Sequence, residues 1–133
     1  IWILSITFPI VMALGGVLGL LGIPWPGLEI GIAVSSIILG IMILLGTKPP
    51  LAIAVAIVAA FAIFHGYAHG AELPQAANPV AYSAGFVIST GLLHLAGIAF
   101  GELIRIPHGV KIVRASGVVI ALLGSYFLMN VFQ

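Results

Sequence analysis

The sequence predicts an all-α protein, a polytopic bundle of transmembrane helices with five spans in this chain. Hydrophobic residues make up 62% of its 133 residues and charged residues only 5%, whereas a soluble domain carries roughly 25% charged residues. So few charged side chains cannot cover the surface of a soluble protein. We therefore expect a single transmembrane domain over residues 1–133.

Five apolar stretches account for the predicted spans. A helix needs about 20 apolar residues to cross the hydrocarbon core of a bilayer. The strands of a membrane β-barrel would instead be about 10 residues long and alternate in polarity. The stretches are longer than that and apolar on every side, and they cover residues 1–21, 28–45, 51–70, 81–103 and 113–132. Pro9 lies inside the first stretch, where it either kinks the helix or marks its beginning.

Turn residues and closely spaced glycines complete the predicted architecture. The breaks between the stretches read GIPWPG, GTKPP, ELPQAANP and RIPHGVK, and each contains proline. Glycines four residues apart let helix backbones approach closely, so we interpret such pairs as packing surfaces. The pairs are Gly15 with Gly19, Gly27 with Gly31, Gly66 with Gly70, and Gly97 with Gly101.

The basic residues predict the orientation of the chain in the membrane. They lie between the second and third stretches and between the fourth and fifth, at Lys48, Arg105, Lys111 and Arg114. The positive-inside rule puts these two loops in the cytoplasm, so Glu72 and the C-terminus face outward. The first helix then begins on the cytoplasmic side. After a cleaved signal peptide this orientation requires an odd number of further helices before Ile1, and one such helix would give the six spans expected of the full-length protein.

Composition excludes several classes of function. Cysteine is absent, which excludes disulfide scaffolds, thiolate metal sites and cysteine nucleophiles. A net charge of +1 is too small for a nucleic-acid-binding face, so we expect no nucleic-acid partner.

The third stretch closes with the string FHGYAHGAELP, which predicts a metal-handling site. His65 and His69 are four residues apart and Glu72 follows three later, which places all three on one face of a helix. Two imidazoles at this spacing can converge on one divalent ion, and Glu72 adds a carboxylate if the helix persists past Gly70. No glutamate directly follows the first histidine, unlike in HExxH, so we predict metal binding and no enzyme activity.

Other polar residues give weaker predictions. His94, near the middle of the fourth stretch, either continues the polar track inward or hydrogen-bonds a neighbouring helix. Glu102 is expected to pair with Arg105 or to be solvated. His108 is interpreted as a loop residue, and Tyr82 as an ordinary polar side chain near the outer interface.

The strings FHGYAHGAELP, AYSAGFVISTGLLHLAGIAFG and ALGGVLGLLGIPWPGLE resemble the HupE/UreJ family of small bacterial membrane proteins. The resemblance covers most of the chain. It implies about six spans in the bacterial inner membrane and a nickel (sometimes cobalt) permease that serves hydrogenase and urease maturation. It also implies that His65, His69 and Glu72 match the family's histidine motif and that His94 matches its later membrane histidine. The family's first-helix motif, HPxxGxDH, does not occur in this chain.

A divalent-cation permease is the first hypothesis. An ion would enter from the outer side, exchange waters for His65, His69 and Glu72, and pass inward by His94. Neutral imidazole suits Ni²⁺, Co²⁺, Cu²⁺ and Zn²⁺ alike, so nickel follows from the resemblance alone. Protonated imidazole cannot ligate, so binding should weaken in acid.

Two other hypotheses use the same residues. A structural or accessory subunit of a larger membrane complex, or a homo-oligomer, fits the short loops and the near-absence of soluble surface. Haem held between His94 and either His65 or His69 needs opposed histidines at matching depth. His94 is expected to lie deeper than His69, so no haem is expected.

Overall fold

The computed structural model describes residues 2–75 and 78–133 and contains five α-helices. They are α1 (Trp2–Leu20), α2 (Leu28–Leu45), α3 (Leu51–Glu72), α4 (Pro79–Gly101) and α5 (Gly109–Val131). Short 3₁₀ turns at Leu73–Gln75 and Glu102–Arg105 follow α3 and α4, and no strand occurs in the described ranges. All five helices are long and apolar enough to cross a membrane, which confirms the predicted all-α fold with five spans.

Two helices begin earlier in the sequence than the apolar stretches that predicted them. The α4 helix begins at Pro79 rather than at residue 81, because the side chain of Asn78 accepts a hydrogen bond of 3.0 Å from the Ala81 amide and proline suits the first helical position. The α5 helix begins at Gly109, whereas the predicted span begins at residue 113. The first turn of α5 contains the polar residue Lys111, which an apolar stretch leaves out. Pro9 lies inside α1, so it does not mark the beginning of that helix.

The chain divides into two compact units. The first contains the chain up to Leu28 together with Pro49–His94, and therefore α1, α3 and most of α4. The second contains Glu29–Lys48 and Leu95–Gln133, and therefore most of α2, the last turns of α4, and α5.

In the first unit, α1 and α3 pack in parallel through glycine backbones. A Cβ added to Gly66 would lie 1.9 Å from the carbonyl oxygen of Met12, and one added to Gly70 would lie 1.9 Å from that of Gly16. The contacts move along both helices in the same direction, so the helices run parallel. Since no side chain fits at either distance, only glycine allows this approach.

In the second unit, α2 and α5 pack in antiparallel fashion through a looser glycine contact. A Cβ added to Gly40 would lie 2.6 Å from the amide nitrogen of Ala121, and one added to Gly117 would lie 2.6 Å from both the Gly40 carbonyl oxygen and the Leu44 amide nitrogen. Gly124 further along α5 meets Ile37 and Ala33 earlier in α2. The contacts therefore run in opposite directions along the two helices.

The predicted glycine pairs fall into two groups. Gly15 with Gly19 and Gly66 with Gly70 are confirmed as packing surfaces, because an added Cβ at each would lie within 2.3 Å of a backbone oxygen. The interpretation is wrong for Gly97 with Gly101, since no described atom beyond the adjoining backbone of the same helix lies within 4 Å of an added Cβ at either position. It is also wrong for Gly27, which lies in the turn before α2 with a φ of 76°. A spacing of four does not itself place a neighbouring helix against the pair.

Candidate metal-binding site

The three histidines of the predicted spans all lie in the first unit, and two of them hydrogen-bond their own helix. His65 Nδ1 lies 2.9 Å from the Phe61 carbonyl oxygen, and His94 Nδ1 lies 2.8 Å from the Thr90 carbonyl oxygen. A carbonyl oxygen only accepts, so Nδ1 carries the proton and donates in each case. Nε2 of the neutral ring then keeps a lone pair that can ligate a metal.

His69 has the same tautomer, with the proton on Nδ1, but its hydrogen-bond partner is a side chain of the next helix, α4. Its Nδ1 lies 3.1 Å from the Tyr82 hydroxyl, and that hydroxyl donates a hydrogen bond of 2.9 Å to Glu72 Oε2. Because a carboxylate only accepts, the single hydroxyl proton belongs to this second bond. The hydroxyl oxygen therefore accepts from Nδ1 of His69, and Nε2 of His69 is the atom left to ligate.

His69, Glu72 and Tyr82 form a cluster that we term the helix-end group. Glu72 is the last residue of α3, so the helix does persist past Gly70 as the carboxylate prediction required. The His69 and Glu72 side chains are 43% and 64% exposed, and 3.6 Å separates His69 Nδ1 from Glu72 Oε2. The ring of Phe86 packs 4.6 Å from the His69 ring, measured between centroids. The group is thus open to an approaching ion on one side and held by α4 on the other.

His65 and His94 lie instead around Phe8 of α1, in what we term the Phe8 group. The centroid of the Phe8 ring lies 6.2 Å from that of His65 and 5.2 Å from that of His94. Both histidines are half-buried. The Phe8 ring therefore links the histidine of α3 with the histidine of α4.

The four predicted site residues do not gather at one point. Within residues 2–75 and 78–133, no group of three or more His, Asp or Glu side chains is close enough to hold a metal ion together. His69 lies beside Glu72, and His65 shares Phe8 with His94. An ion bound at either group would therefore need further ligands, from water or from main-chain oxygens.

Tyr82 is the residue that sequence reasoning missed. Glu72 ends α3 and Pro79 begins α4, so a short connection returns the chain beside the end of α3. A tyrosine in the first turn after such a connection lies near the last turn before it. The position of Tyr82 just after the connection was therefore the feature of the sequence that could have predicted its contact with the end of α3.

An aromatic cluster fixes the loop after α1 against α3. The Tyr67 hydroxyl donates a hydrogen bond to the Ile23 carbonyl oxygen. The ring of Trp25 packs against Phe64 and Tyr67, with centroid separations of 5.5 and 5.7 Å. These contacts hold the segment of α3 that carries His65 and His69.

The polar residues of the second unit are placed largely as predicted. Arg105 Nε lies 2.8 Å from Glu102 Oε2, which confirms the expected pair. His108 precedes α5 with a φ of 67°, a conformation that serves the turn.

Comparison with known proteins gives two matches. The family described as HupE / UreJ protein matches residues 1–127. The chain is 40% identical over 130 residues to Protein HupE of Rhizobium leguminosarum bv. viciae, and the alignment covers 98% of this chain and 68% of that protein. No solved structure matches the chain significantly.

Proposed function

This chain belongs to the HupE/UreJ family, and on that premise we propose that it is a permease for a divalent transition-metal ion, with nickel as the expected substrate. The family is associated with nickel and cobalt transport. It consists of membrane proteins of transporter type rather than enzymes. Imidazole itself accepts Ni²⁺, Co²⁺ and Zn²⁺ alike, so the choice of nickel rests on the family.

The tautomer shared by the three histidines is the observation that supports this proposal. His65, His69 and His94 each donate from Nδ1 and leave Nε2 able to ligate. Metal-binding histidines ordinarily have this arrangement, in which an outer partner fixes the ring and its tautomer.

The distribution of the ligands suits transport better than storage. An ion that is to cross must bind well enough to lose water and weakly enough to leave. Two separate sites with few protein ligands each would release an ion more readily than one site that fills the whole coordination sphere of the ion. The proposed ion first meets Glu72 and His69 in the helix-end group, passes to His65, and reaches His94 beyond Phe8.

The proposed orientation follows from charge. The positive-inside rule puts Lys48, Arg105 and the basic first turns of α5 in the cytoplasm, and hence the helix-end group on the outer side of the bacterial inner membrane. Successive spans cross the membrane in alternating directions, so α1 and α3, which are separated by the one span α2, should run in the same direction. Their parallel packing agrees with this expectation. Metal would then enter at the more exposed of the two groups.

Radiolabelled nickel uptake tests the proposal. Cells that lack their own nickel importers would express the protein, its His65→Ala/His69→Ala variant, or a His108→Asn control, at matched membrane levels and limiting nickel. We expect uptake by the protein and by the control, and background uptake by the double variant. Equal background uptake in all three would contradict a nickel permease and would favour an accessory subunit, to be sought by purification of its complex.

A further inference from the structure

The Tyr82 hydroxyl hydrogen-bonds two side chains of the helix-end group. It accepts from His69 Nδ1 at 3.1 Å and donates to Glu72 Oε2 at 2.9 Å. Both partners lie in the last turn of α3, whereas Tyr82 lies in the first turn of α4. One hydroxyl thus joins the two helices through the very side chains that are expected to bind metal.

We propose that Tyr82 is a positioning residue for the metal-binding atoms of His69 and Glu72. Its hydroxyl holds His69 in the tautomer with a bare Nε2 and, by donating to Oε2 of Glu72, fixes the carboxylate with Oε1 available to the ion. The inference rests on the proposed function, because it deepens the role of the same group. The ligand is a divalent transition-metal cation, of which Ni²⁺ is the probe.

Glu72 does not itself hold the ring of His69 in this structure. His69 Nδ1 lies 3.6 Å from Glu72 Oε2, which is longer than a hydrogen bond, so the Tyr82 hydroxyl is the group that bonds Nδ1. In Tyr82→Phe that hydroxyl is absent. The imidazole then loses the partner that fixes its proton, and both tautomers become populated. A protonated Nε2 cannot ligate, so some of the molecules lose one ligand at any time.

A role in packing alone does not explain the hydroxyl. No residue of α4 is buried, so the ring of Tyr82 fills no core position. Removal of the hydroxyl in Tyr82→Phe keeps the ring and takes away both bonds. Loss of an outer partner of a metal-binding histidine typically costs about tenfold or more in metal affinity.

Nickel binding to the purified protein is the first test. Ni²⁺ titrations would compare the protein with Tyr82→Phe and with Tyr126→Phe, a tyrosine of the second unit whose ring packs on Phe127. We expect affinity about tenfold weaker in Tyr82→Phe, since an outer partner is lost, and unchanged in Tyr126→Phe. Equal affinity in all three proteins would overturn the inference.

The tautomer of His69 is the second test. A purely packing role of Tyr82 would not change which ring nitrogen bears the proton. In protein labelled with ¹⁵N-histidine, the ring nitrogen shifts report which nitrogen bears the proton, and a His69→Ala sample assigns the signal. We expect His69 to be protonated at Nδ1 in the protein and to become a mixture in Tyr82→Phe. An Nδ1-protonated His69 in Tyr82→Phe would overturn the inference.

Changes at Glu72 keep the inference testable if Tyr82→Phe does not fold. In Glu72→Ala the Tyr82 hydroxyl has lost its acceptor and can donate to Nδ1, which moves the His69 proton to Nε2. In Glu72→Gln the amide oxygen still accepts, so the proton stays on Nδ1. The same tautomer in both variants would overturn the inference.

Failure of this inference is distinguishable from failure of the proposed function. If the protein takes up no nickel but Tyr82→Phe still weakens Ni²⁺ binding and alters the His69 tautomer, the permease is wrong and the role of Tyr82 stands. If uptake depends on His65 and His69 but Tyr82→Phe changes neither property, the permease stands and the role of Tyr82 is wrong.

Discussion

The two compact units use the same packing device and carry different chemistry. In each, two helices meet through glycine backbones, at Gly66 and Gly70 in the first unit and at Gly40 and Gly117 in the second. The sequence of the first unit contains His65, His69 and His94 and neither lysine nor arginine. The second unit contains every lysine and arginine of the chain.

The comparison of the two units shows that close glycine contacts indicate helix packing, whereas polar residues inside the spans indicate function. Close glycine contacts occur in both units, so they belong to the scaffold and do not mark a function. Membrane histidines occur in one unit only, and each has Nδ1 engaged. Polar groups are costly inside a bilayer, so their concentration in one unit is the stronger functional signal.

The largest expected effect contrasts one histidine from each unit. His94→Ala removes a proposed ligand of the Phe8 group, so nickel uptake should fall by about tenfold or more, the size of effect typical even of outer metal partners. His108→Asn in the second unit should leave uptake unchanged, because asparagine tolerates the positive φ of 67° at that position. Uptake at matched membrane levels measures both. A normal rate in His94→Ala would remove this residue from the proposed path.

A smaller effect is expected from glycine substitutions that compare the two scaffolds. Gly66→Ala places a Cβ 1.9 Å from a carbonyl oxygen, whereas Gly40→Ala places one 2.6 Å from an amide nitrogen. We expect the free energy of unfolding to fall by about 1–3 kcal/mol in Gly66→Ala, and by less in Gly40→Ala. Thermal unfolding in detergent measures this difference.

Gly91→Ala is the matched control for the packing comparison. No described atom beyond the adjoining backbone of α4 lies within 4 Å of a Cβ added there, and alanine favours a helix over glycine. Its unfolding temperature should be unchanged or slightly raised. Equal destabilisation of Gly66→Ala and Gly91→Ala would contradict the assignment of Gly66 to a close helix contact.

The smallest expected effect concerns the ion pair of the second unit. The Arg105 and Glu102 side chains are 76% and 44% exposed, and exposed pairs contribute only about 0–1 kcal/mol to stability. Glu102→Gln should therefore shift the unfolding temperature very little and leave nickel uptake unchanged. Loss of uptake in this variant would mean that the second unit carries part of the transport path.

The fold followed from hydropathy, but helix ends required local chemistry. The predicted second span, residues 28–45, coincides with α2. Helices α4 and α5 begin before the predicted spans do, because the cap at Asn78 and the turns around Lys111 are polar and do not count toward an apolar stretch. Hydropathy detects what lies in the membrane, whereas hydrogen bonds decide where a helix begins.

The candidate site was predictable along one helix and much less so between helices. A spacing of four and three residues placed His65, His69 and Glu72 along α3, and α3 does extend to Glu72. Contacts between helices depend on how the helices rotate and dock, which spacing does not specify. The hydrogen bond from His69 to Tyr82 and the place of Phe8 beside His65 and His94 therefore came from the structure.

Transport by the purified protein alone is the most direct test of the proposed permease. The protein and its His65→Ala/His69→Ala variant would be reconstituted in liposomes that contain a nickel-responsive fluorescent chelator, with nickel added outside. We predict a saturable signal that requires the protein and is abolished in the double variant. A signal no greater than that of empty liposomes, from correctly folded protein, would contradict an independent permease.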